Sequence, residues 1–155
     1  MTISNFDIIE LCKSVNLPLV GVYSKDELPN IIKPGSYYVN LQDSSEGNGT
    51  HWVMFYIDSK MKNAIYFDSF GYPPPIEIEN FLSKFKNVPY SNRHIQDIKS
   101  TNCGLFCICL DLYLKYYAEK NLNLLDNYFK FINLFSHHTE SNDEILKNIY
   151  FKFID

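Results

Sequence analysis

The sequence has no apolar run near the about 20 residues that a membrane-spanning helix needs. Its opening residues, Met1-Thr2-Ile3-Ser4-Asn5-Phe6-Asp7, lack a basic region followed by an apolar stretch, so no secretory signal is expected. It has no Cys-x-x-Cys pair. Of its 4 cysteines, Cys103, Cys107 and Cys109 crowd onto one predicted helix and Cys12 stands far off. That spacing speaks against a zinc site and makes a poor disulfide framework, so reduced thiols in an intracellular setting are expected, with no cofactor. The Asn48-Gly49-Thr50 sequon is then idle. An excess of positive charge is also missing: the net charge of −4 gives no global attraction to nucleic acid. The loose basic stretch Lys84, Lys86, Arg93, His94 and Lys99 reads as a solvated face. Internal repeats, low-complexity tracts and linkers are absent too.

What is present fits one α+β domain over residues 1–155, with 46% hydrophobic and 21% charged residues. Its 12 Tyr and 12 Phe predict a core built around rings. Residues 4–15 read as an amphipathic helix, with Phe6, Ile9 and Val15 among the apolar positions and Ser4 as cap. Pro18, Pro29 and Pro34 mark a loop-rich stretch, followed by a short strand over 37–41 and a polar loop over 42–50. Residues 51–58 form a near-continuous apolar strand, expected to be central and buried on both faces. A turn at 59–63 leads to a neighbouring antiparallel strand at 64–68, which Gly71 and Pro73–Pro75 bring to an end. Residues 76–86 look helical, and 88–95 is predicted to be a third core strand. Helices are predicted from Asn102 to about Lys120, with Leu105, Cys109, Leu112 and Tyr116 at helical spacing, and over 122–135. A capping box at Ser141–Glu144 opens a last helix carrying Ile145, Ile149 and Phe153 on one face.

Three segments carry chemistry. Gly49-Thr50-His51-Trp52, Phe67-Asp68-Ser69-Phe70-Gly71 and Asn102-Cys103-Gly104-Leu105-Phe106-Cys107 supply a histidine, a carboxylate and a cysteine in that order. Gln96 lies seven residues before the cysteine. These are the parts of a thiol hydrolase: nucleophile, base, orienting acid and oxyanion donor. A thiol acts as thiolate, and the first turn of a helix favours negative charge; Ser100, Thr101 and Asn102 are capping residues that place Cys103 there. Cys107 and Cys109 read instead as small apolar core residues.

His51, at the start of a buried strand, would accept the Cys103 proton and later protonate a leaving amine. Pairing of 51–58 with 64–68 brings Asp68 to the same sheet edge, where it would fix the imidazole tautomer. The Gln96 amide, beside the backbone N–H of Cys103, would face the oxyanion, an interaction typically worth ~3 kcal/mol. Asp97 competes weakly for a polar role, and His94, His137 and His138 read as surface residues. Trp52 is either core or a wall over the substrate cleft, and Gly104 lets other backbone come close. Each feature alone is weak; their order and spacing together are specific.

These motifs, over roughly residues 20–115, resemble the adenovirus-type maturation cysteine proteases (adenain) and their relatives in virophages, large DNA viruses and Polinton-type elements. The SUMO-specific proteases belong to the same clan. The run from Gly21 to Pro29 resembles the N-terminal region of such viral proteases. The resemblance implies a central mixed β-sheet flanked by helices, with the catalytic cysteine at the N-terminus of a core helix. It implies His51, Asp68 and Cys103 as triad, with Gln96 and the Cys103 amide as oxyanion hole; Trp52 and Gly104, beside them in sequence, are the expected substrate contacts. It also implies cleavage after small residues, near Gly-Gly or Gly-x-Gly, in capsid and core precursors. Adenain carries Glu where this chain has Asp68. No cysteine lies between Asp68 and Cys103, where adenain's disulfide-linked activating peptide would attach, and the net negative charge does not favour DNA as activator.

The reading is therefore an intracellular cysteine endopeptidase of virion maturation, acting as a monomer on protein substrates in the host cytoplasm or nucleus or within the virion. A SUMO- or ubiquitin-like isopeptidase would share its machinery. A same-clan acetyltransferase would need a coenzyme A site, for which no basic pocket is evident. An inactive binding module is disfavoured because every catalytic position is filled. A chymotrypsin-like viral protease predicts two β-barrels, against the helical C-terminal third.

Overall fold

A computed structural model describes residues 3–42, 51–118 and 123–154. The predicted loop over 42–50 lies outside them from residue 43 onward. The elements are α1 (Asn5–Ser14), β1 (Leu19–Ser24), β2 (Gly35–Asn40), β3 (Trp52–Ile57), β4 (Ala64–Phe67), α2 (Ile76–Phe81), α3 (Cys103–Tyr117), α4 (Leu124–Ile132) and α5 (Asn142–Ile154). The strands form one mixed sheet in the order β1-β2-β3-β4, in which β1 and β2 are parallel and the other two pairs antiparallel. This is the α+β architecture expected from the sequence.

The sheet is covered on both faces because its residues alternate between two apolar clusters. Tyr38, Trp52, Met54, Ile65 and Phe67 join a cluster with α3 and parts of α1, α4 and α5. Tyr37, Val39, Val53, Phe55 and Tyr66 join a second one with Ile78 and Leu82 at α2. Strand β3 is thus buried on both sides, and its apolar run needs no polar face.

Helix α3 is buried without interruption from Cys103 to Leu114. Such a helix is apolar all round because it has no solvent face to supply. Its one buried carboxylate, Asp111, accepts hydrogen bonds from Ser36 Oγ and Tyr38 Oη, both at 2.7 Å, which pins the helix to β2. Burial pushes the Asp111 carboxyl up to about 6, against the opposing pull of the two hydroxyls and Lys115.

The structure departs from the sequence reading in five places, the first being α2, expected over 76–86 but ending at Phe81. Ser4 caps helix α1 as expected, in a capping box with Asp7, but the helix buries Ile8 and Cys12, and Phe6 is 73% exposed. The loop-rich stretch after Pro18 contains β1, a half-buried edge strand. Residues 88–95 form no core strand; a single bridge, Tyr66 to Tyr90, joins them to β4. Besides backbone bonds from Tyr66 N to Pro89 O and from Ile95 N to Ser69 O, a side chain holds them: Tyr128 Oη accepts from the Ser91 amide at 2.9 Å and donates to Tyr66 O at 2.6 Å. At α5, Ser141 ends a 3-10 turn (Thr139–Ser141) and its hydroxyl donates to His138 O at 2.9 Å. The predicted apolar face of α5 does pack on the core, through Ile145, Ile149 and Phe153.

Candidate active site

The register of β3 and β4 builds the first half of the site. Met54 pairs with Phe67. Continued past the ladder, that register brings His51 level with Phe70, and their rings stack with centroids 4.8 Å apart at 25°. Asp68, first residue beyond β4, is buried, and its Oδ1 accepts from His51 Nε2 at 2.8 Å. The same oxygen accepts from the Phe70 amide, also at 2.8 Å. Phe70 therefore holds the acid through its backbone and the imidazole through its ring. His94 packs edge-on against the far side of Phe70, with centroids 5.1 Å apart.

The second half is the start of α3. Cys103 is its first residue and Asn102 its N-cap, although the Asn102 side chain makes no capping hydrogen bond. The approach is shaped by Ser100, whose hydroxyl accepts from the Asn102 amide at 3.1 Å and donates to Asp143 at 2.8 Å. The Cys103 sulfur accepts from the Trp52 amide at 3.4 Å, and His51 and the Gly104 amide also favour its charged form. Since Nε2 of His51 is committed to Asp68, Nδ1 is the nitrogen left for the thiol.

Electrostatics separate Cys103 from the other cysteines. Burial pushes its thiol up, but the His51 hydrogen bond, the Trp52 amide, the His51 charge and the Gly104 amide outweigh that, and its pKa lies below the ordinary value. Burial raises Cys12 to about 12. It raises Cys107 and Cys109 as well, so their reading as core residues holds. For His51, burial lowers the pKa, yet hydrogen bonds to Asp68 and Cys103, with the charges of both, bring it up to about 9. The two shifts run in opposite directions, and both favour the thiolate–imidazolium form of the pair.

Gln96 is 1% exposed and fixed at both ends of its amide. Ser69 Oγ donates to Oε1, and Nε2 donates to Ser100 O at 2.9 Å. Asp97, the weaker candidate, ties two loops together: its carboxylate accepts from Thr139 Oγ1 at 2.9 Å and from the Lys99 amide at 3.2 Å.

Trp52 and Gly104 do not face open space as expected of substrate contacts. Trp52 is 7% exposed, and its indole N–H donates to Ile3 O at 3.0 Å. The Ile3 side chain lies over Gly104, where an added Cβ would sit 2.5 Å from Ile3 Cγ1. What the sequence reading missed is the Trp52 amide, and with it Ser69, Phe70 and the packing of His94. Ser69 and Phe70 stood inside the Asp68 motif without a role of their own.

No protein-family model matches the chain, and no curated protein matches it. Among solved structures it is similar to the ASFV pS273R protease, at 19% identity and a TM-score of 0.48, over 77% of this chain and 44% of that one. It is also similar to the SUMO protease Ulp1 with its catalytic cysteine oxidized to a sulfinic acid, at 17% identity and a TM-score of 0.31, over 74% of this chain and 53% of that one. The chain spans about half the length of each.

Proposed function

We propose that the protein is a cysteine endopeptidase with His51, Asp68 and Cys103 as its triad. One observation carries the reading: the His51 imidazole joins the Asp68 carboxylate to a Cys103 thiol that, alone among the four cysteines, is shifted toward the thiolate. A merely structural cysteine in so buried a place would be shifted the other way.

The Cys103 thiolate attacks the scissile carbonyl, forming a C–S bond and moving the carbonyl electrons onto oxygen. The Cys103 amide and the second N–H of Gln96 would be the donors to that oxyanion. Collapse breaks the C–N bond as His51 Nδ1 gives its proton to the leaving amine. His51, now neutral, takes a proton from water, whose oxygen attacks the thioester, and the thiolate departs. Asp68 holds the ring in position and stabilises its charged form at the beginning and end of the cycle.

The motif resemblance of residues 49–53, 67–71 and 103–107 extends the proposal to substrate. It favours proteins cut after small residues at Gly-Gly or Gly-x-Gly, and capsid or core precursors of a virus as their source. The fully reduced cysteines suit a reducing compartment. The test is incubation of the protein, beside its Cys103→Ala form, with a Gly-Gly-containing capsid precursor and with a SUMO-like conjugate. Cleavage of the precursor by the unmodified protein alone supports the proposal. Cleavage of the conjugate alone turns it into an isopeptidase, and equal cleavage by both forms removes Cys103 from the mechanism.

A further inference from the structure

We infer that Ser69 is a positioning residue for the oxyanion hole, setting which end of the Gln96 amide faces the reacting carbonyl; this rests on the protease reading above. Ser69 is 0% exposed and makes three hydrogen bonds to the 95–96 segment. Its carbonyl accepts from the Ile95 amide at 2.9 Å and from the Gln96 amide at 3.0 Å, while its hydroxyl donates to Gln96 Oε1.

A primary amide has two nearly isosteric ends, and only its N–H end can stabilise an oxyanion. The Ser100 carbonyl accepts and cannot donate, so it requires Nε2 on its side. The Ser69 hydroxyl can donate, so it holds Oε1 on the other. A flipped amide would set two carbonyl oxygens against each other at Ser100. One N–H of Nε2 is used at Ser100; the second has no partner among the described residues. The Asp68–Gly71 turn thereby serves both halves of the site: Asp68 and Phe70 hold His51, and Ser69 holds Gln96. Neighbouring residues of one turn set the base and the oxyanion donor in a common frame.

The inference is tested by a double-mutant cycle on cleavage of a fluorogenic Gly-Gly peptide. Gln96→Ala should lower kcat about 10²-fold or more, as loss of one such donor does. Ser69→Ala should lower kcat at least tenfold with KM nearly unchanged, and Ser69→Ala combined with Gln96→Ala should be no slower than Gln96→Ala alone. Iodoacetamide alkylation of Cys103 uses no oxyanion hole, so its rate and pH profile should be unchanged in Ser69→Ala. If Ser69→Ala does not fold, Ser69→Cys, of similar volume but a weaker donor, should show the same coupling to Gln96. Additive losses, or full activity in Ser69→Ala, overturn the inference while leaving the protease reading intact. Absence of Cys103-dependent cleavage by the unmodified protein overturns both.

Discussion

Asp68 and His51 meet at 2.8 Å across the open end of a strand pair, and the carboxylate oxygen that receives Nε2 also receives the Phe70 amide. The acid is thus fixed by backbone before it orients the base. The imidazole keeps Nδ1 for Cys103, and its charged form is favoured up to a pH of about 9.

The pH dependence follows from these shifts. Cys103 is lowered and His51 raised, so both shifts widen the pH range of the thiolate–imidazolium pair. Alkylation of Cys103 by iodoacetamide should titrate at a lower pH than that of an ordinary thiol, falling as the thiolate is protonated. Peptide turnover should also fall as the pH rises through about 9, where His51 loses the proton it must give the leaving amine. In His51→Ala the alkylation midpoint should move up, because burial is then opposed only by the Trp52 and Gly104 amides. An unchanged midpoint would show that His51 does not activate the thiol.

The two supports of His51 should differ in weight. Asp68→Asn removes the charge that favours imidazolium, and kcat should fall by about 10² or more. Phe70→Ala keeps the backbone amide on Asp68 but removes the stacked ring. An aromatic contact contributes about 0.5–1.5 kcal/mol, so kcat should fall only about two- to tenfold. Equal losses in the two variants, measured on one peptide, would contradict this ranking.

Gly71 closes the same turn at φ +80°, with the backbone of Asn92 and Arg93 passing so close that a Cβ would sit 2.8 Å from it. Neither side can yield, since both are backbone. Gly71→Ala should destabilise the protein by about 2 kcal/mol or more, combining a strained φ with overpacking. Chemical denaturation would read this as a lower midpoint with an unchanged slope. A midpoint at the original value would mean that the turn can open there at little cost.

Much of this site was legible in the sequence because strand pairing and a helix start are local devices. An apolar run at 51–58, a short turn and a second apolar run at 64–68 leave few ways to place His51 and Asp68 except at one edge. The cluster of capping residues before Cys103 likewise marks a helix start. Long-range side-chain contacts were not legible in this way. Ser69 and Gln96 are 27 residues apart, and their hydrogen bond depends on how an irregular segment folds back. That segment, 88–95, has Val88, Tyr90 and Ile95 to suggest a strand, but Pro89 lacks an amide to donate, and its Ser91 amide goes to the Tyr128 hydroxyl instead of a neighbouring strand. Strand β1 was hidden for the opposite reason: a half-buried edge strand with Gly21 near its centre shows no alternation.

The account depends most on Cys103 being a nucleophile that His51 activates. Its most direct test is to treat the protein with a Gly-Gly peptide bearing a C-terminal vinyl sulfone and locate the adduct by peptide mapping. The account predicts a single adduct on Cys103, formed at neutral pH and slowed at least tenfold in His51→Ala. No adduct on Cys103, or one that forms equally fast without His51, would contradict it.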